Sequence, residues 1–80
     1  MAKYDPLYDF LDRQTASEII MSFGEIERII NSHLPKYSNK REWWGNEISN
    51  SSRHVQKYAW MNAGFSAEPD LAKNIVVFRR

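Results

Sequence analysis

Three features of this 80-residue sequence predict an α+β fold, with three helices and a small three-stranded antiparallel sheet. Apolar residues recur at helical spacing in three separate segments, each with its own start or stop signal. Two β-branched runs, Glu18 to Met21 and Asn74 to Arg79, read as strands. Proline, glycine and polar clusters divide the chain into the order helix, strand, helix, helix, strand, strand.

The first helix starts in YDPLYDFLDRQ, with Asp5 as N-cap and Pro6 at the first helical position, where its missing N–H costs nothing. Leu7, Phe10 and Leu11 face the core, while Asp9, Asp12 and Arg13 face water. The next segment admits two readings, because Ile19, Phe23, Ile26, Ile30 and Leu34 also fit one long helix. Ser22 followed by Glu25 is a capping-box pattern that starts a helix at Phe23, and Gly24 would weaken a helix running through it. Glu18 to Met21 is therefore read as a short strand feeding a second helix that ends near Ser32 or His33, ahead of Pro35.

A long loop follows, with a short helical turn expected over Arg41 to Gly45 around Trp43 and Trp44. The third helix is placed from about Ser52 to Asn62, and Gly64 stands where a helix end takes a left-handed residue. The tail reads as a hairpin with strands Phe65 to Asp70 and Asn74 to Arg79, the first demoted to an edge by Pro69. In the last strand Ile75 and Val77 point one way and Val76 and Phe78 the other, so both faces need cover. This order of elements is winged-helix-like, an arrangement whose third helix is the usual nucleic-acid reader and whose hairpin is the wing. The long insertion between helices two and three departs from the compact turn of a helix-turn-helix.

Length bounds the rest. Residues 1–80 make a single domain, and folding at this size buries only about 60 to 65% of the surface of the unfolded chain. The 42% hydrophobic and 14% aromatic content suffices for a small core. Cysteine is absent, which removes disulfides, thiolate nucleophiles and the usual zinc ligands together and fits a reducing cytoplasm. MAKYDPLYDF lacks the basic and apolar regions of a secretory signal, and no run of apolar residues is long enough to span a membrane. A cytoplasmic protein with no membrane partner is expected.

Net charge is +1, but it is unevenly spread. Residues 1–34 hold three basic and six acidic side chains, a net of −3, whereas residues 35–80 hold eight basic and four acidic, a net of +4. An acidic partner such as a phosphate backbone would be drawn to the second half.

That half contains WWGNEISNSSRHVQKYAWMNAGF, from Trp43 to Phe65. On a helical wheel, Val55, Tyr58, Ala59, Asn62 and Ala63 share one face, and Arg53, Gln56, Lys57 and Trp60 the opposite one. The second face has the chemistry of a nucleic-acid reader: Arg for guanine, Gln for adenine, Lys for phosphate and an aromatic ring for stacking. The structural alternative is a solvated basic face with Trp60 covering the domain's own core. Lys36, Lys40 and Arg41 in the loop are candidate phosphate contacts, with Lys73 at the wing tip. Trp43 and Trp44 are neighbours that cannot point the same way in regular structure, so one is expected inside and the other is a candidate anchor for a protein partner.

His33 and His54, without cysteine or a cluster of carboxylates, do not make a metal site, and hydrogen-bonding roles in the loops are expected of them. No Ser, His and acid combination has a recognisable motif, and the three glycines, at 24, 45 and 64, are too scattered to cradle a phosphate. Neither enzyme activity nor a cofactor or metal is expected.

YDPLYDFL, SFGEIERII, the LP at 34 and 35, WWGNEISNSSRHVQKYAWMNAGF and DLAKNIVVFRR together resemble a family of small, functionally uncharacterised bacterial and phage-borne proteins. The shared pattern is matched by Trp43, Trp44, Asn46, His54, Gln56, Ala59, Trp60, Ala63, Gly64 and Phe65. Glu47 stands where the pattern has aspartate, and Phe65 where tryptophan is more usual. The resemblance implies a prokaryotic context and brings no activity with it.

The expectation is thus a small winged-helix-like module that binds nucleic acid, duplex DNA foremost, through Lys36, Lys40, Arg41, Arg53, Gln56, Lys57 and Lys73. The competing expectation is a protein-binding module, such as a phage-borne inhibitor or adaptor acting on a host or defence protein, that uses Trp43, Trp44 and Trp60. Homodimerisation through the edge of the hairpin is compatible with either.

Overall fold

A computed structural model describes residues 3–46 and 56–80. Its elements are α1 (Asp5–Asp12), β1 (Glu18–Ser22), α2 (Phe23–Ile30), two 3₁₀ turns (Lys36–Asn39 and Arg41–Trp44), α3 (Gln56–Met61), β2 (Ser66–Asp70) and β3 (Ile75–Arg79). This is the expected α+β order.

Local chemistry sets most of the boundaries. In α1 the N-cap is Tyr4, one residue earlier than expected, and Asp5 moves into the first turn, where its carboxylate favours the positive end of the helix dipole. Leu7 and Leu11, one helical turn apart, are its buried residues. At α2 the capping box is complete: Glu25 N donates to Ser22 Oγ at 3.0 Å, and Ser22 N donates to Glu25 Oε1 at 3.1 Å. Such a cap contributes about 1 kcal/mol, and it ends the strand and starts the helix at one residue. The helix stops at Ile30, short of the expected Ser32 or His33, because Asn31 takes the left-handed conformation at φ 54°. Glu27 then secures the exit, its Oε2 accepting from Leu34 N at 2.7 Å.

The segment after Pro35, expected to be open loop, winds into the first 3₁₀ turn. The second turn lies where a helical turn around the tryptophans was expected. Gly64, at φ 87°, closes α3 as expected, with its N–H donating to Met61 O.

The sheet runs β1-β3-β2, all antiparallel, which puts the proline-bearing β2 at an edge. Its inner face presents Met21, Val76, Phe78 and Ala67 to a core completed by Leu7, Leu11, Ile26 and the three tryptophans. On the outer face Arg79 bridges all three strands, with Nε 2.8 Å from Glu18 Oε2 and Nη1 2.7 Å from Glu68 Oε2. Each pair is about half exposed and contributes little stability. Among the described residues no helix is long and apolar enough to cross a membrane.

Candidate functional site

Residues 36–46 form a two-sided loop packed against α3 and β2. Its inner side is aromatic. Trp43 and Trp44 are both buried, with ring centroids 4.6 Å apart at 76°. Trp44 lies nearly parallel to Phe23 at 5.1 Å and to Trp60 at 5.6 Å, while Trp43 meets Tyr4 edge-on at 6.0 Å. The Trp44 indole N–H donates to Ser38 O at 2.8 Å, tying the second 3₁₀ turn to the first. Adjacent tryptophans point in different directions, as expected; both are inside because the loop has core on two sides.

This packing corrects the reading of α3. Gln56, expected on the groove-facing surface, is 3% exposed, and its Nε2 donates to Trp43 O at 2.9 Å. A buried amide committed to a backbone carbonyl cannot read a base. Trp60, expected on the same outer face, is 0% exposed, and Tyr58, expected in the core, is partly exposed. The cause is the insertion between α2 and α3. Its tryptophans fold back over the face of α3 that a compact helix-turn-helix would leave to solvent. For the same reason Trp43, Trp44 and Trp60 are not surface anchors, and the protein-binding reading loses the residues it relied on. The Trp60 Nε1 is buried and has no hydrogen-bond partner among the described residues.

The outer side is cationic. Lys36, Lys40 and Arg41 are exposed, as is Tyr37 at 66%. A depression lined by Tyr37, Lys40, Glu42 and Trp43 opens beside the Tyr37 ring. Lys57 reaches the loop from α3, its Nζ 3.1 Å from where a Cβ on Gly45 would sit. A side chain at Gly45 would crowd the tip of Lys57, which can swing aside, and the Glu42 carbonyl O, 3.2 Å from the same point, which is backbone. None of these four cations makes an ion pair among the described residues. Among the described residues of the loop Glu42 stands against them, an excess of +3.

The other sequence candidates are scattered. Lys73 lies apart at the β2–β3 turn, where its N–H donates to Asp70 O at 3.2 Å. Arg53 and His54 fall outside the described residues. His33 is fully exposed, with Nδ1 3.6 Å from Glu27 Oε2. Arg79 is committed to its two glutamates, and the Arg80 guanidinium lies 4.5 Å from the Phe65 ring centroid.

Two residues gain importance that composition did not give them. Tyr37 is an aromatic set between Lys36 and Lys40, a pattern visible in the sequence. Asn46 clamps the β2 edge, its Oδ1 accepting from Ala67 N at 2.7 Å and its Nδ2 donating to Ala67 O at 3.0 Å. No local signal announces that pairing, which spans 21 positions in sequence.

No curated protein and no solved structure matches the chain. A family model does match, over residues 4–80. With nearly its whole length covered, the chain belongs to the family described as Domain of unknown function (DUF7662).

Proposed function

We propose that this chain is a small nucleic-acid-binding module that holds phosphates on the outer side of the 36–46 loop rather than reading bases with α3. Duplex DNA is the ligand that the winged-helix-like order favours, and the cytoplasm of a bacterium, or of a cell infected by a phage, is the setting. The observation that carries this reading is the set Lys36, Lys40, Arg41 and Lys57, unpaired among the described residues, on the loop and on the helix that meets it at Gly45, with Lys40 and the exposed Tyr37 lining one depression. Lysines and arginines without internal partners can exchange counterions for phosphates at no cost to the fold. Tyr37 offers a face on which an unpaired base can stack. In the described part of α3, Gln56, Ala59 and Trp60 are buried and so are not available to a groove. The role is binding, without catalysis.

The test is a salt series of binding isotherms, on duplex and on single-stranded DNA, for wild type and for Lys40→Glu/Arg41→Glu/Lys57→Glu. Wild type should bind with a steep salt dependence, and the variant should bind weakly, its slope smaller by about one for each phosphate it no longer neutralises. Preference for duplex places the backbone first, and preference for single strands places Tyr37 stacking first. A correctly folded variant that binds as wild type does, or a wild type that binds neither form, refutes the proposal.

A further inference from the structure

The two edges of the sheet are finished differently. On β2, Ala67 turns its N–H and C=O outward into the Asn46 side chain. Pro69, two residues on, faces the same way and has no N–H to offer. That edge is closed to a further strand. On β1, Arg80 N donates to Ser17 O and Phe23 N to Asn74 O, each at 2.9 Å, so the odd-numbered residues turn their amides toward β3. Glu18, Ile20 and Ser22 must then turn theirs away from the sheet. Ser22 N is taken by Glu25, but the Ile20 N–H and C=O have no partner among the described residues.

Side chains along this edge state what would fit it. Ile20 is 60% exposed, beside half-buried Val77 on the outer face. Glu18 flanks it on one side, and the Glu25 carboxylate, reaching over Ser22 N, flanks it on the other. Proteins usually blunt a free edge with proline, lysine or a cover. This chain does so at β2 and puts an isoleucine at the centre of β1.

We propose that the β1 edge is a docking site for an extended segment of a partner protein, which adds to the sheet as a fourth strand. An unpaired edge amide selects an extended backbone. The segment carries an apolar residue opposite Ile20 and basic residues two positions to either side, since those side chains share the outer face. The apolar residue covers Ile20 and Val77, and the basic ones meet Glu18 and Glu25. A second copy of this chain fits worse: two β1 strands paired about Ile20 would set Glu18 of each beside Glu25 of the other. The surface is separate from the cationic loop, so this proposal and the nucleic-acid reading stand or fall independently.

The probe is a short capped peptide with valine at its centre and lysine two positions to either side, titrated into the full chain while amide exchange is followed. Binding should slow exchange at the Ile20 N–H, and the same peptide with glutamate in place of lysine should not bind. Ile20→Pro removes an amide that faces away from β3, as Pro69 does on β2, together with the isoleucine side chain, and should weaken binding by about tenfold or more. Ile20→Lys keeps the backbone amide and places a cation on the edge; it should weaken binding similarly, so the result does not depend on whether the proline variant folds. The proposal is overturned if the lysine peptide does not bind, if Ile20→Lys binds it as wild type does, or if the glutamate peptide binds equally. It is also overturned if sedimentation shows a dimer that Ile20→Lys dissociates.

Discussion

The inner and outer sides of residues 36–46 are built from neighbouring positions and obey opposite rules. Inside, Trp43 and Trp44 gain by leaving water, and every ring they touch belongs to the fold. Outside, Lys36, Lys40 and Arg41 remain in water, and none of them makes an ion pair among the described residues. One loop thus separates what holds the molecule together from what is available to a ligand. An aromatic-rich segment with cations between its rings resembles a binding surface as a string of letters; in three dimensions it sorts into a core and a rim.

Substitutions can break this division or sharpen it. The largest effect is expected from Trp60→Ala, which empties the centre of the aromatic cluster and should cost about 3 to 5 kcal/mol in chemical denaturation. Gln56→Ala should come next, at about 1 to 3 kcal/mol, by leaving the buried Trp43 carbonyl without its donor. Near-ultraviolet circular dichroism should show the Trp43 environment loosening in the same variant. The paired replacements Trp44→Phe and Trp60→Phe isolate the role of the indole N–H. Trp44 loses a hydrogen bond to Ser38, whereas Trp60 loses a donor with no partner among the described residues, so the first should melt lower, by about 1 kcal/mol in stability. On the outer side Lys40→Glu with Arg41→Glu should change stability by about 0.5 kcal/mol or less, while DNA affinity falls. If the two charge reversals instead destabilise the fold as much as Gln56→Ala, the two sides are not separate.

Much of the fold is legible in the sequence because its signals are local. Ser22 and Glu25 announce a cap from three positions apart, Gly64 announces a left-handed turn by lacking a side chain, and Pro69 announces an edge by lacking a donor. The site is less legible. A helical wheel groups Gln56 with Trp60 correctly, but periodicity does not say which of two faces another segment will cover. That depends on where the inserted loop lands, on a hydrogen bond between Gln56 and Trp43 that only tertiary packing sets. The cations at 36, 40, 41 and 57 stand out by charge alone, since an exposed lysine needs no partner to be recognised. The wheel adds Arg53 and Gln56 to them, and of these Gln56 belongs to the core.

All three indoles of the chain occupy one buried cluster, within 6.3 Å of one another by ring centroid. Their emission is therefore a single optical signal of the core, shielded from water and shared by energy transfer among the rings. Heat or denaturant should shift it to the red in one step with the loss of the fold. A ligand resting on the lysines alone should leave its wavelength where it was, so a spectral shift on adding DNA would mean that the loop has lifted and exposed its inner side.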